Sequence, residues 1–192
     1  MASNMTAIRK EPIHLLKQDH RIIERALHAL DGLCLRLEWG QSVPQDALAE
    51  LVNFLSAFAN RYHHGKEETY LFPALERHGI AREGGPLGAM EAEHETERKL
   101  TSEMVRAIES YRNIDAAAAS RFIDAARKYI DHLLVHIEHE DNVLFRLADA
   151  VLDDSEKSAL FESFRQAESQ LMLHSPQEYD SITAELEERW AL

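Results

Sequence analysis

One cysteine, seven glycines and five prolines in 192 residues leave the chain short of what staples, loops and breaks structure. A lone Cys34 excludes an internal disulfide framework, and with it a cysteine-based zinc site or iron–sulfur cluster built within one chain. Nothing around Cys34 marks a reactive thiol, so it reads as a small core residue. Scarce Gly and Pro beside abundant Ala, Leu, Glu and Arg point to an all-α protein, and no segment reads as a strand. Basic residues are also few: 21 Lys and Arg against 34 Asp and Glu give a formal net charge of -13. Without a Lys/Arg cluster to offset phosphate repulsion, no nucleic-acid or anionic-membrane partner is expected. No apolar run reaches the ~18 residues of a membrane span, and the opening MASNMTAIRKEP has no stretch of signal-peptide length. A soluble, cytoplasmic protein is therefore expected.

What is present is helical punctuation. Pro12 suits the first turn of a helix running to about Glu38, where Gly40, Gln41 and Ser42 break it. A second helix follows Ser42, tolerates Pro44 near its start, and closes at His78-Gly79, with Pro73 expected to kink or loosen its last turns. The loop Arg82-Glu83-Gly84-Gly85-Pro86 precedes a third helix from about Leu87 to Arg112. Asp115 is read as the cap of a fourth, reaching about Leu152. A fifth is capped by Asp153-Asp154-Ser155 and runs to about Gln170, and a short sixth follows Ser175-Pro176. The domain reading is a four-helix bundle over residues 8–152 and a C-terminal extension, 153–192, of two helices packed on it.

Residues three and four apart share one helix face, and these faces carry the chemistry. The first helix reads Ile13, Leu16, His20, Ile23, Leu27, Leu30, Cys34, Leu37, and the second Val52, Ser56, Ala59, His63, Glu67, Tyr70, Ala74. The third reads Leu87, Met90, His94, Glu97, Thr101, Met104, Ile108, and the fourth Phe122, Ala126, Tyr129, Leu133, His136, Glu140, Val143, Leu147. Each helix thus turns one histidine of its seam inward. HHGKEETYLFPAL (63–75) also echoes HIEHEDNVLFRLA (136–148): both open His-x-x-x-Glu and carry Leu-Phe four and five residues after the Glu.

An ionised carboxylate in an apolar seam costs several kcal/mol unless a cation or a full set of hydrogen bonds compensates it. His63 with Glu67 and His136 with Glu140 stand one turn apart, so each pair aims a nitrogen and an oxygen at one small volume. His20 and His94 add nitrogens from the other two helices. Four imidazoles and two carboxylates suit iron, manganese or zinc, and both carboxylates can bridge two metals. The candidate ligands are His20, His63, Glu67, His94, His136 and Glu140. With both glutamates bridging, each ion receives two nitrogens and two oxygens, an oxo or hydroxo bridge makes five donors, and a sixth position stays open. His64, His132 and His139 flank the ligand pairs with weaker signals, His132 standing at the seam's edge, as a support to the ligands or as a third ligand from that helix. Glu68 and Asp141 read as supporting or solvated groups, Glu97 and Tyr129 as inward-facing neighbours that could complete the coordination, and His14, His28, His78 and His174 as surface residues.

The set His20, His63-x-x-x-Glu67, His94, His136-x-x-x-Glu140, with HHGKEETYLFPALERHGI, GGPLGAMEAEHE and YIDHLLVHIEHEDNVLF around it, resembles the hemerythrin-like, HHE cation-binding, family from about His14 to Leu152. The resemblance implies an antiparallel up-down bundle around a non-haem centre of two iron ions. It implies that His20 and His136 share one iron and His63 and His94 the other, with Glu67 and Glu140 bridging. Members bind oxygen, sense oxygen, iron or redox state, respond to nitric oxide or peroxide, or help repair iron centres. The oxygen carriers place a further histidine on the third helix as His-x-x-x-His, where this chain has Met90 and Arg98 around His94. Repair-type members often carry a cysteine-bearing N-terminal domain, and Cys34 is the one cysteine here. The expected function is binding of or reaction with oxygen, nitric oxide or peroxide in a sensing or protective role. The alternative is an iron-sensing or iron-handling module, iron-centre repair included, whose fold or partner depends on metal. Whether there is turnover is not legible in the sequence.

Overall fold

Residues 11–111, 116–171 and 175–191 are described in the structure, a computed structural model, and among them every regular element is helical. Helix α1 (Pro12–Glu38) opens on a proline, whose missing N–H is one that a first turn leaves unbonded anyway. It closes in a Schellman motif: Gly40 takes φ +69, its N–H donates to the Leu37 carbonyl, and the Gln41 N–H donates to that of Arg36 at 2.9 Å. The second helical run, α2 (45–77), closes in the same way at Gly79, with the Ile80 N–H on the Leu75 carbonyl at 3.2 Å. Then follow α3 (Pro86–Ser110), α4 (116–151), α5 (Asp154–Leu171) and α6 (Pro176–Trp190). Asp153 and Glu156 cap α5 reciprocally, and Ser175 with Glu178 forms a capping box on α6. The expected cap Asp115, and His174, lie outside the described residues.

Two of these runs change pitch at the candidate ligands. In α2, the α-helix Gln45–Leu55 passes into a π-helical stretch, Ser56–His63, and after His64–Lys66 into a second, Glu67–Leu71. In α4 the π turn is Glu140–Leu144. Each π turn adds a residue to the turn and slides the inward face along the sequence. The expected seam residues Tyr70, Val143 and Leu147 are accordingly not buried; Leu71, Phe72, Leu144, Phe145 and Ala148 are. The loosening expected at Pro73 takes the form of the wide turn directly before it, and the helix continues to Arg77.

Burial falls into two apolar clusters. One joins Ile23–Leu37 of α1 to Ala47–Tyr62, Leu100–Ile108 and Phe122–Ile137. The other joins Ile13 and Leu16 to Leu71–Leu75, Leu87, Met90, Leu144–Leu152 and, from α5, Leu160 and Phe164. Between them each of the first four helices places its polar residues, so one layer of buried imidazoles and carboxylates separates two hydrocarbon layers. Helices α1 and α4 run antiparallel: His20 meets Glu140 and Asp141, while Arg127 reaches Asp31 and Glu38. Helices α3 and α4 do the same, with Glu93 at His136 and Glu97 at His132. Helix α6 lies along α1, tied by Arg25 to Asp180 and Glu187, and adds Tyr179 and Leu186 to the first cluster. No helix among the described residues is long and apolar enough to cross a membrane.

Candidate metal centre

All six expected ligand residues are buried in the polar layer. They converge as two groups of donors that share Glu67: His20, His63, Glu67 and Glu140 in one, and His64, Glu67, His94 and His136 in the other. Glu67 turns Oε1 toward His63 Nε2 (3.6 Å) and Oε2 toward His94 Nε2 (3.5 Å). Glu140 turns Oε2 toward His20 Nε2 (3.1 Å) and Oε1 toward His136 Nε2 (3.4 Å). Each carboxylate therefore spans both groups. The pairing differs from the one the resemblance implies: His20 stands with His63, and His94 with His136, because α1 abuts α2 at this level and α3 abuts α4.

A ring of carboxylates fixes the imidazoles from outside. His20 Nδ1 donates to Asp141 (2.9 Å), His63 Nδ1 to Asp19 (3.1 Å), His94 Nδ1 to Glu68 (2.7 Å) and His136 Nδ1 to Glu93 (2.8 Å). With the proton on Nδ1, each Nε2 is left a bare lone pair facing the centre. The Nε2 atoms of His20 and His63 are 3.0 Å apart, and two lone pairs at that distance repel unless a cation or proton lies between them. Burial drives the His63 imidazole down to about 3 and His136 to about 4, so both are neutral at neutral pH. Burial pushes Glu67 and Glu140 well above the ordinary carboxylate range, and for Glu140 the neighbouring Glu67 and Glu97 push further. His94 Nε2, His136 Nε2, Glu140 Oε1 and both oxygens of Glu67 are buried with no hydrogen-bond partner. Donors held about 2.1 Å from one ion stand roughly 3 Å apart at right angles, close to the spacings seen here. Orphaned donors, fixed tautomers and spacing all fit bound metal.

The hemerythrin HHE cation-binding domain matches residues 11–148, most of the chain. The chain belongs to the hemerythrin HHE cation-binding family. It is also similar to uncharacterised proteins of Mycobacterium bovis and of two strains of Mycobacterium tuberculosis, each 26% identical over 153 residues. That alignment takes in 80% of this chain, which spans about three-fifths (59%) of the length of those relatives. No solved structure matches it.

Against the family's pattern, His64 is the residue that sequence spacing passed over. It is fully buried, stacks on the His94 ring at 3.9 Å with the planes 8° apart, and belongs to the second donor group. Its Nε2 lies 3.4 Å from Glu97 Oε2, so it too faces a carboxylate. A third histidine thus stands beside His94 and His136 without the His-x-x-x-His of the third helix. Asp19 and Glu93 were likewise missed; both stand beside other polar residues and look solvated in the sequence. Glu97 is buried but lies outside both groups, raised to about 9 by burial and then by Glu93 and Glu67. Half-exposed His132 approaches it at 3.2 Å. The Tyr129 hydroxyl is buried without a hydrogen-bond partner, and His139, His14, His28 and His78 are at the surface.

Proposed function

We propose that the chain is a non-haem di-iron protein of an up-down four-helix bundle, binding or reacting with oxygen, nitric oxide or peroxide in a sensing or protective role. The observation that carries the reading is the pair of donor groups with Glu67 common to both and Glu140 spanning them. His20 and His63 would hold one ion, His64, His94 and His136 the other, and Glu67 and Glu140 both. Bound iron would supply a redox-active Lewis acid with room for a small exogenous ligand. The protein's own contribution is to keep the imidazoles of His63, His64, His94 and His136 neutral by burial, to orient those of His20, His63, His94 and His136 through the outer carboxylates, and to exclude water by the hydrocarbon layers on either side. The donor count is lopsided, with four on the His20 side and five on the His64 side. A bound metal would therefore have its open position on the His20 side.

Metal analysis of purified protein with its visible spectrum tests this. Two irons per chain, with a charge-transfer spectrum altered by azide, are expected; a single ion, or zinc alone after iron-replete growth, would refute it. Rapid oxygen evolution from peroxide would assign turnover, whereas a stable nitric oxide adduct without turnover would assign binding. A second reading, iron sensing through the fold, draws on the mutual repulsion of Glu67 and Glu140 at the centre of the core. It requires the metal-free protein to lose helicity or partner binding, which circular dichroism measures directly.

A further inference from the structure

Lys66 is the feature that the metal reading leaves unexplained. It is 1% exposed, and a buried ammonium needs strong compensation. Its Nζ bonds Asp19 Oδ2, the same oxygen that accepts from His63 Nδ1. Two aromatic rings also face it, that of Tyr62 at 4.0 Å and, from α5, that of Phe164 at 5.5 Å, and the Glu168 carboxylate of α5 lies within reach of its charge. Phe164 is itself 1% exposed and lies beyond the family-matched segment, which ends at residue 148. A chain of contacts therefore runs from α5 to the metal layer: Phe164, Lys66, Asp19, His63. The other outer carboxylates differ. Glu68 and Asp141 are paired to the partly exposed cations Arg98 and Arg21, and Glu93 is paired to His136 and His139.

We propose that Lys66, kept dry by Phe164 of α5, is a positioning residue that sets the donor strength of His63 and raises the reduction potential on the His20/His63 side of the centre. Two effects act in one direction. The ammonium draws charge from Asp19, so the carboxylate pulls less on the imidazole N–H and His63 Nε2 is a weaker donor. The same buried positive charge disfavours the more highly charged oxidation state of an ion close by. On this account α5 belongs functionally to the centre.

The inference rests on the di-iron reading, and one series of proteins separates the two. Wild type, Lys66→Met, Lys66→Arg, Phe164→Ala and Phe164→Leu are loaded with iron, checked for helicity, and compared in redox titration and in iron release to a chelator. Lys66→Met is expected to lower the one-electron equilibrium constant of one iron by at least about tenfold, or about 59 mV, with Lys66→Arg restoring most of it. Release of that iron should change by about tenfold while the other keeps its wild-type rate. A readout independent of metal is methylation of lysine amines read by mass spectrometry. Lys66 should resist in wild type and Phe164→Leu and react in Phe164→Ala. Folded, two-iron Lys66→Met protein with both potentials and both release rates unchanged would overturn the inference alone. Failure of wild type to take up two irons would instead remove the reading beneath it.

Discussion

Neighbouring residues on an α-helix point about 100° apart, so of two adjacent histidines an ordinary seam accepts one. His63 and His64 are both fully inward because the π-helical stretch Ser56–His63 ends on the first of them. If His64 completes the second donor group, His64→Ala should leave one tightly held iron and weaken the other by about 100-fold, measured by metal content after dialysis against a chelator. Equal loss of both irons, or of neither, would contradict the grouping. Glu67→Gln separates function from folding. In the metal-free protein it removes an acid that burial already disfavours in its charged form, so the melting temperature should hold or rise. Two-iron loading should meanwhile fail, because an amide offers one oxygen where the carboxylate offers two. A destabilised metal-free Glu67→Gln protein would show that Glu67 is held by unseen polar contacts. Six of the seven inner residues were legible in the sequence, since ionisable groups in an apolar 3–4 pattern stand out. The carboxylates that orient them were only partly so, as Asp19 and Glu93 are unremarkable until the partner helices bring His63 and His136 to them.

At the scale of elements, helix ends were readable because glycine and capping residues act locally, and the closures at Gly40 and Gly79 fall where the sequence places them. The π turns were not, since they answer to several helices at once. The internal echo acquires a structural meaning through them: Glu67 and Glu140 each begin a π turn, and each is followed by a buried Leu-Phe pair. Among the positions where the echo differs, His64 corresponds to buried Ile137, and there the two donor groups become unequal. The sequence leads one to expect the C-terminal helices on the bundle but not where α6 docks, because that place depends on a bare backbone at Gly32. A Cβ on residue 32 would lie 1.8 Å from the Trp190 carbonyl oxygen, which also accepts from Arg36. Gly32→Ala should therefore push the end of α6 off α1 at a cost of about 1–3 kcal/mol. Altered fluorescence at Trp190 with unchanged iron content is the expected signature, and an unshifted melting temperature would show that the helix end simply gives way.

Over the whole molecule the buried layer makes stability, metal and pH one problem. Without metal, folded His63 and His136 refuse protons until about pH 3 and 4, whereas the unfolded chain takes them up near 6.5. The unfolded state then binds more protons, so stability falls as pH drops below about 6.5. Glu97, raised to about 9, works on the other side, as do Glu67 and Glu140. The folded state keeps protons that an unfolded carboxylate releases near 4.5, and their contribution is lost as pH rises through the folded values. The metal-free protein should thus be most stable near pH 5–7 and weaken in both directions. Bound metal requires ionised carboxylates and neutral imidazoles, so it should remove the part of the alkaline decline that Glu67 and Glu140 cause, leaving that of Glu97, while acid still competes with it. At free iron(II) 100 times the dissociation constant the gain is about 2.7 kcal/mol. Calorimetric melts of metal-free and iron(II)-loaded protein at pH 5, 7 and 9 should show a stabilisation that grows with pH. A gain independent of pH would mean that protons and metal do not share these side chains, and that the cation binds elsewhere on the acidic surface.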